Sequence, residues 1–501
     1  MNANADKMFP FDARSYAFQE YVPCKNLIGG AWRDAESGQT IAVENPRHGR
    51  VMGHVASSGA ADVDAAVQAA ALAAKTWRNV PIRERGAVFY RLKELMQRDL
   101  DELAWLVSHE NGKTFAEAKA SVEKGIECVE FGASLPNMAT GEQLDVSRGV
   151  NCRIEHEALG VVAGITPFNF PIMVPLWMLP QAIVGGNAFV LKPSEQVPYG
   201  AMKLGLLLRE AGLPDGVYNV VNGGADVVNA LCDHPTIKAI AFVGSTRVGK
   251  HVYARGAAAG KSMLCLGGAK NHLIVVPDAD VKLTAANVAA SFTGCAGQRC
   301  MAASVLLAVG DVDPIVNAIV EEAKSIRMGK DLGSIINEVS EKRIRGYIDQ
   351  AVSLGASIVL DGRAQRGEES GYWVGPTVLD HVSTTMPAAT QEIFGPVLSI
   401  VRCKTLEDAI AIENANAYGN AACIYTTSGA VADYVTERVE AGMVGVNVGV
   451  PVPREPFGFG GWNDSKFGTG NITGMDGYRF WTRPRKVTTK WAIQKDTTWM
   501  G

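Results

Sequence analysis

Cysteine is sparse in this chain. Nine residues in 501, an odd number with no C-x-x-C pair, do not make a disulfide framework. Such usage suits a reducing compartment, so a cytoplasmic protein is expected. No basic stretch followed by an apolar run opens the sequence, and no secretory leader is expected. Charge of one sign is also lacking. The formal net charge is −4, which gives no electrostatic reason for a nucleic-acid or anionic-membrane partner. No metal site is expected. Residues 158–191 lack charge altogether and are long enough to cross a bilayer. Pro167, Pro171, Pro175, Pro180, Asn169, Gln181 and Asn187 interrupt that stretch. A lipid-facing helix could not satisfy so many broken backbone bonds. A buried strand, loop and helix are expected there instead.

What is present is an ordinary globular balance, 47% apolar and 20% charged, long enough for two or three domains. Residues 62–140 read as helical. Asp62 is placed as the N-cap of an Ala-rich helix. Residues 83–109 are predicted to form a helix ended by Gly112, and another starts near Thr114. From residue 158 the pattern changes to short apolar runs alternating with helices: ALGVVAGI, NAFVLK, VYNVVNG and IKAIAFVG. A second series holds LIVVP, SIVLDG, VLSIVRC, AACIYT and MVGVNVG. Uninterrupted β-branched runs between helices imply strands buried on both faces. The fold class expected is α/β, with two open doubly wound parallel-sheet domains. The final residues alternate polar and apolar, as a projecting strand would.

The dinucleotide fingerprint G-x-G-x-x-G is missing after the first strand. In its place, Gly244, Ser245 and Gly249 follow the strand AIAFV and open a helix. Free amides at a helix start favour an anion, although Ser at a helix start is also an ordinary cap. Lys192-Pro193-Ser194-Glu195 follows the strand NAFVL. A carboxylate there can accept from a ribose 2′-hydroxyl and would repel a 2′-phosphate, but a solvated turn would look the same.

Residues 294–303 read GCAGQRCMAA. Cys295 is read as core packing. Cys300 stands beside Arg299, and a neighbouring cation favours the reactive thiolate. Asn169 follows the strand GVVAGI, where α/β sheets place ligands. Its carboxamide can donate to a developing oxyanion or satisfy local backbone.

GQRC, PFNFP, KPSE, FVGSTRVG and EIFGPV together resemble the aldehyde dehydrogenase superfamily, from about Leu27 to the C-terminus. The resemblance implies a Rossmann-type cofactor domain, a catalytic domain and a β-strand oligomerisation arm. It implies Cys300 as nucleophile, with Asn169 and the Cys300 amide as oxyanion hole. It implies NAD bound by Thr166, Phe168, Lys192, Glu195, Gly244, Ser245, Gly249, Glu392 and Phe394. Residues 1–140 and 158–268 would form the NAD-binding domain and 269–452 the catalytic domain. Residues 453–485 would connect near the active site, and 141–157 and 486–501 would be strands joining a homodimer or homotetramer.

One departure carries information. Hydrolytic members have glutamate in E-L-G-G-K-N, and it activates water. This chain has Cys265-Leu266-Gly267-Gly268-Ala269-Lys270-Asn271, with one additional residue. A thiol is no general base for water near neutrality, whereas thiolates attack thioesters readily. With GAKNH and GQRCMA, this resembles the coenzyme A-acylating methylmalonate-semialdehyde (malonate-semialdehyde) branch. The branch implies a carboxylated aldehyde, decarboxylation, and acyl transfer to coenzyme A giving acetyl- or propionyl-CoA. Arg299 matches one expected carboxylate-binding arginine. The other position holds Lys124, which keeps the charge and loses the bidentate fork. Two other readings stay open: a hydrolytic aldehyde dehydrogenase using another base, and an inactive member serving as a binding or structural protein. A thiol-redox protein using Cys295 and Cys300 is disfavoured by their C-x₄-C spacing.

Overall fold

The uncharged stretch folds as the strand Val161–Ile165, a loop, the helix Met173–Val184 and the strand Ala188–Lys192. Every residue of that helix is buried. The structure, a computed structural model, describes residues 15–491. Among them, no helix is long and apolar enough to cross a membrane.

Five parallel strands form the centre of one sheet: Tyr218–Val220, Ala188–Lys192, Val161–Ile165, Ile237–Val243 and Ser262–Leu266, in that spatial order. Antiparallel edges close it, with Asn26–Ile28 and Ala31–Arg33 on one side and Lys466–Gly468 on the other. Strand order reverses at Val161–Ile165. Ligands of open α/β sheets bind at such a switch point, beyond the carboxyl ends of the strands.

The second sheet is ordered Ser357–Leu360, Thr377–Asp380, Val397–Cys403, Ala303–Val309, Asn271–Val275, Ala421–Tyr425 and Met443–Val446. All neighbours are parallel except the first pair. The chain passes from one sheet to the other between Leu266 and Asn271. The carboxyl ends of the first sheet therefore face the amino ends of the second across that crossing. A third, antiparallel sheet joins Glu142–Ser147, Val150–Ala158 and Thr482–Lys490. Its last strand begins before residue 486. Residues 1–14 and 492–501, at the ends of the expected cofactor domain and arm, lie outside the described residues.

Several local expectations are corrected. Gly59, in extended conformation, caps the helix Ala60–Trp77. Asp62 sits inside it and accepts the Gly59 amide at 3.0 Å, the reaching-back half of a capping box. The predicted helix over 83–109 is two, Ile82–Arg98 and Leu100–Asn111. They break at Asp99, whose carboxylate binds Arg98 Nε at 2.7 Å and Lys203 Nζ at 3.2 Å. Ser357–Leu360 is an antiparallel edge strand with alternating exposure, not one buried on both faces. The strand Ala303–Val309, central in its sheet, was not separated from the cysteine loop by sequence. Gly112 does end its helix, in the left-handed conformation, and Thr114 caps Phe115–Met138.

Buried Asn187 joins three of these elements. Its Oδ1 accepts from Gly160 N at 2.9 Å, and its Nδ2 donates to Ala182 O at 2.9 Å and Trp481 O at 2.8 Å. At about 1 kcal/mol net per bond, Asn187→Ala should cost about 3 kcal/mol in urea unfolding. A change below about 1 kcal/mol would show that these bonds do not hold the elements together.

Candidate active site

Three loops after strands of the first sheet meet two loops before strands of the second. Thr166, Phe168 and Asn169 follow Val161–Ile165; Lys192 and Glu195 follow Ala188–Lys192; Gly244 and Ser245 follow Ile237–Val243. Cys300 precedes Ala303–Val309, and Glu392 and Phe394 precede Val397–Cys403. All ten line one cleft of about 320 Å³. Gly249 does not line it. It lies in the first turn of the helix Thr246–Ala258, where a Cβ would press on the Phe242 ring.

The cleft has the chemistry of a dinucleotide cradle. Ser245 ends the loop without a side-chain capping bond, so the first-turn amides remain free donors. Lys192 Nζ holds Glu195 Oε2 at 2.9 Å, presenting a carboxylate at the strand end. Phe168 and Phe394 meet edge to face, with centroids 5.8 Å apart. Glu392 Oε1 accepts the Ala269 amide at 3.0 Å. A Cβ on Gly268 would collide with that carboxylate, so glycine is what allows it to lie against the backbone.

Cys300 also opens onto a second cavity of about 690 Å³, lined by Lys124, Glu117, Cys295, Arg299, Arg454 and Glu455 among others. The thiol thus stands where two cavities meet. Its peptide is fixed from behind, for Asn271 Nδ2 and Asn420 Nδ2 both donate to the Cys300 carbonyl, at 2.8 and 2.9 Å. Asn169 Nδ2 donates to Gln298 O at 3.0 Å. That bond holds its carboxamide beside the cysteine loop and leaves the second amide hydrogen free. The loop adopts left-handed conformations at Cys295, Ala296 and Gly297 in succession, and Phe394 opposite does the same. A Cβ on Gly297 would strike the Gly395 carbonyl. Side-chain-bearing residues held this way cost about 1–3 kcal/mol each and cluster at functional sites.

This two-cavity arrangement about one cysteine coincides with a family match. The aldehyde dehydrogenase family profile covers residues 32–487. The chain belongs to the aldehyde dehydrogenase family. It is 46% identical over 476 residues to malonate-semialdehyde dehydrogenase 2 of Geobacillus kaustophilus, covering 93% of this chain and 98% of that one. Among solved structures it superposes on a putative methylmalonate-semialdehyde dehydrogenase of Sinorhizobium meliloti complexed with NAD. The TM-score is 0.93 at 39% identity, over 96% of this chain and 100% of that one. A methylmalonate-semialdehyde dehydrogenase of Oceanimonas doudoroffii matches with TM-score 0.93 at 41% identity, over 94% and 99%.

Within this aldehyde dehydrogenase some residues behave differently from expectation. Cys265 lies in the strand Ser262–Leu266, fully buried among Phe242, Met263 and Val252, and lines neither cavity. Burial pushes its thiol well up. Cys295, read as packing, is buried but accepts Arg299 Nε at 3.1 Å and faces the second cavity. Arg299 also lies 3.7 Å from Glu117 Oε1. Its guanidinium is thus turned to Cys295 and Glu117; its charge still lowers the Cys300 thiol, as a neighbouring cation should, but burial outweighs it. Burial, and then the Glu392 charge, push the Cys300 thiol up to about 12.

Some positioning residues escaped sequence reasoning. Buried Lys113 donates to Asn169 O from 4.0 Å over the Phe170 ring. Asn111 Nδ2 donates to Phe168 O at 2.9 Å. The Gln298 side chain spans Cys295 O, Ser334 O and Ile336 N. The run ENGKT was visible, but only the fold shows it behind the Asn169 loop. Ala269, the additional residue of GGAKN, supplies the amide that holds Glu392.

Only the thiolate alkylates rapidly. Mass spectrometry of the Cys300 peptide should therefore show iodoacetamide modification still rising at about pH 10, without a plateau. Glu392→Gln removes a charge that pushes the thiol up, so its curve should move to lower pH. A wild-type plateau by about pH 8 would contradict this placement of Cys300.

Proposed function

We propose that the chain is an NAD-dependent malonate- or methylmalonate-semialdehyde dehydrogenase that passes its acyl group to coenzyme A. The observation that carries this reading is the second cavity, which sets Arg299, Lys124 and Arg454 around the approach to Cys300. Cations there suit an aldehyde bearing a carboxylate. The names of similar relatives agree. The cleft residues fit NAD: a carboxylate at the ribose position, free amides at the diphosphate, and Glu392 with Phe394 at the nicotinamide end. Bound NAD⁺ supplies the hydride acceptor.

The Cys300 thiol gives its proton to solvent, and the sulfur bonds to the aldehyde carbon as the carbonyl opens to an oxyanion. Asn169 Nδ2 and the Cys300 amide donate to the oxyanion; one such donor is worth ~10²–10³ in rate. Departure of hydride leaves a thioester on Cys300. The bond between the substrate carboxylate and the α-carbon then breaks, CO₂ leaves, and the α-carbon takes a proton from solvent. The thiolate of coenzyme A then attacks, forming acetyl- or propionyl-CoA and releasing Cys300.

Water is disfavoured as acceptor because the carboxylates near Cys300 are engaged. Glu117 accepts the Cys295 amide at 2.5 Å and faces Arg299. Glu392 holds the Ala269 amide, Glu195 holds Lys192, and Glu455 accepts from the Cys128 thiol at 3.4 Å. The strand Glu142–Ser147, exposed along its whole length with Leu144 and Val146 outward, supports assembly through its edge into a homodimer or homotetramer. Nine free thiols support a reducing, cytoplasmic setting.

NADH formation should be compared for malonate semialdehyde, methylmalonate semialdehyde and propanal, each with coenzyme A. The carboxylated substrates should be preferred. A charge-assisted bond of about 1.5–3 kcal/mol makes Arg299→Leu raise their KM by about tenfold to a hundredfold and leave that of propanal little changed. Preference for propanal, or equal effects on all three, would reject the carboxylate reading.

A further inference from the structure

Lys270 is 1% exposed, and its Nζ has no hydrogen-bond partner. It stands on the crossing between the two sheets, where Asn416 Nδ2 holds its carbonyl at 2.8 Å. It shares a hollow of about 10 Å³ with Glu392, Arg299 and Cys300. A dry ammonium without a counter-charge costs several kcal/mol. The carboxylate lining that hollow with it is Glu392.

The other charged groups around the pair are accounted for. Arg343, on the helix Glu338–Ser353, also acts on Glu392. Arg299 is turned to Cys295 and Glu117. Tyr418 faces Glu392 from the strand Tyr418–Gly419. His272, two residues on from Lys270, is paired with buried Glu413. The Cys300 thiol is neutral in this setting.

We propose that Lys270 is a positioning residue that acts through Glu392, keeping that carboxylate ionised so that it can accept the hydroxyls of the nicotinamide ribose. This rests on the reading of Glu392 as the ribose contact. Burial raises Glu392 to about 7, and the Ala269 amide, Lys270 and Arg343 oppose that rise. Burial lowers Lys270 to about 7, and Glu392 opposes that fall. Loss of Lys270 therefore protonates Glu392 at higher pH, and the grip on the ribose is lost while the medium is still neutral.

The test is NAD⁺ affinity by titration calorimetry between pH 6 and 9, without aldehyde. In wild type, affinity should fall as pH drops through about 7. In Lys270→Met the fall should move up by about one unit or more. Affinity at pH 7 then drops about fivefold or more and recovers at pH 9. Glu392→Gln should bind more weakly at every pH, with a flat profile, and adding Lys270→Met to it should change nothing. An unmoved Lys270→Met profile, or equal weakening with and without Glu392, would overturn the proposal. If Lys270→Met does not fold, a wild-type pH profile in Glu392→Gln overturns it. Wild-type affinity in Glu392→Gln would instead reject the ribose reading itself.

Discussion

Two asparagine carboxamides converge on the carbonyl of Cys300, and the site depends on that clamp. Asn271 begins a central strand of the second sheet, and Asn420 stands immediately before its neighbour. Both positions are set by backbone ladders, so the cysteine peptide inherits their rigidity. The left-handed turn at residues 295–297 then brings the loop against Gly395, and the thiol is left at the junction of two cavities. One cavity has dinucleotide chemistry and the other has cations. Everything proposed for the enzyme follows from a single sulfur reaching both.

Chemistry was more legible in the sequence than packing. The apolar runs after residue 158 announced parallel strands because their burial on both faces removes alternation. The motif residues that line the cleft sit just after strands of the first sheet or just before strands of the second, which sequence can mark. What could not be read was side-chain direction. Arg299 adjoins Cys300 in sequence, yet its guanidinium turns to Cys295 and Glu117. Cys265 occupies the position of a catalytic carboxylate, yet it is a core residue of an edge-adjacent strand. Lys113 and Gln298 act through backbone carbonyls brought close only by tertiary structure. Gly249 belonged to the motif but not to the cleft.

The replacement at Cys265 therefore has a simpler meaning than a substitution of one reactive group for another. A small apolar thiol completes the core, and the amide of the additional residue Ala269 donates to Glu392. Gly267 and Gly268 of the same stretch line the cleft. In the proposed reaction no free carboxylate stands beside the Cys300 thioester to help water attack it.

The most direct measurement is rapid-mixing absorbance of enzyme with NAD⁺ and malonate semialdehyde, first without coenzyme A and then with it. The account predicts a burst of about one NADH per active site, then near arrest, with the acyl mass retained on the Cys300 peptide. Coenzyme A should restore turnover and release acetyl-CoA. Sustained turnover without any thiol, with free carboxylic acid as product, would contradict it.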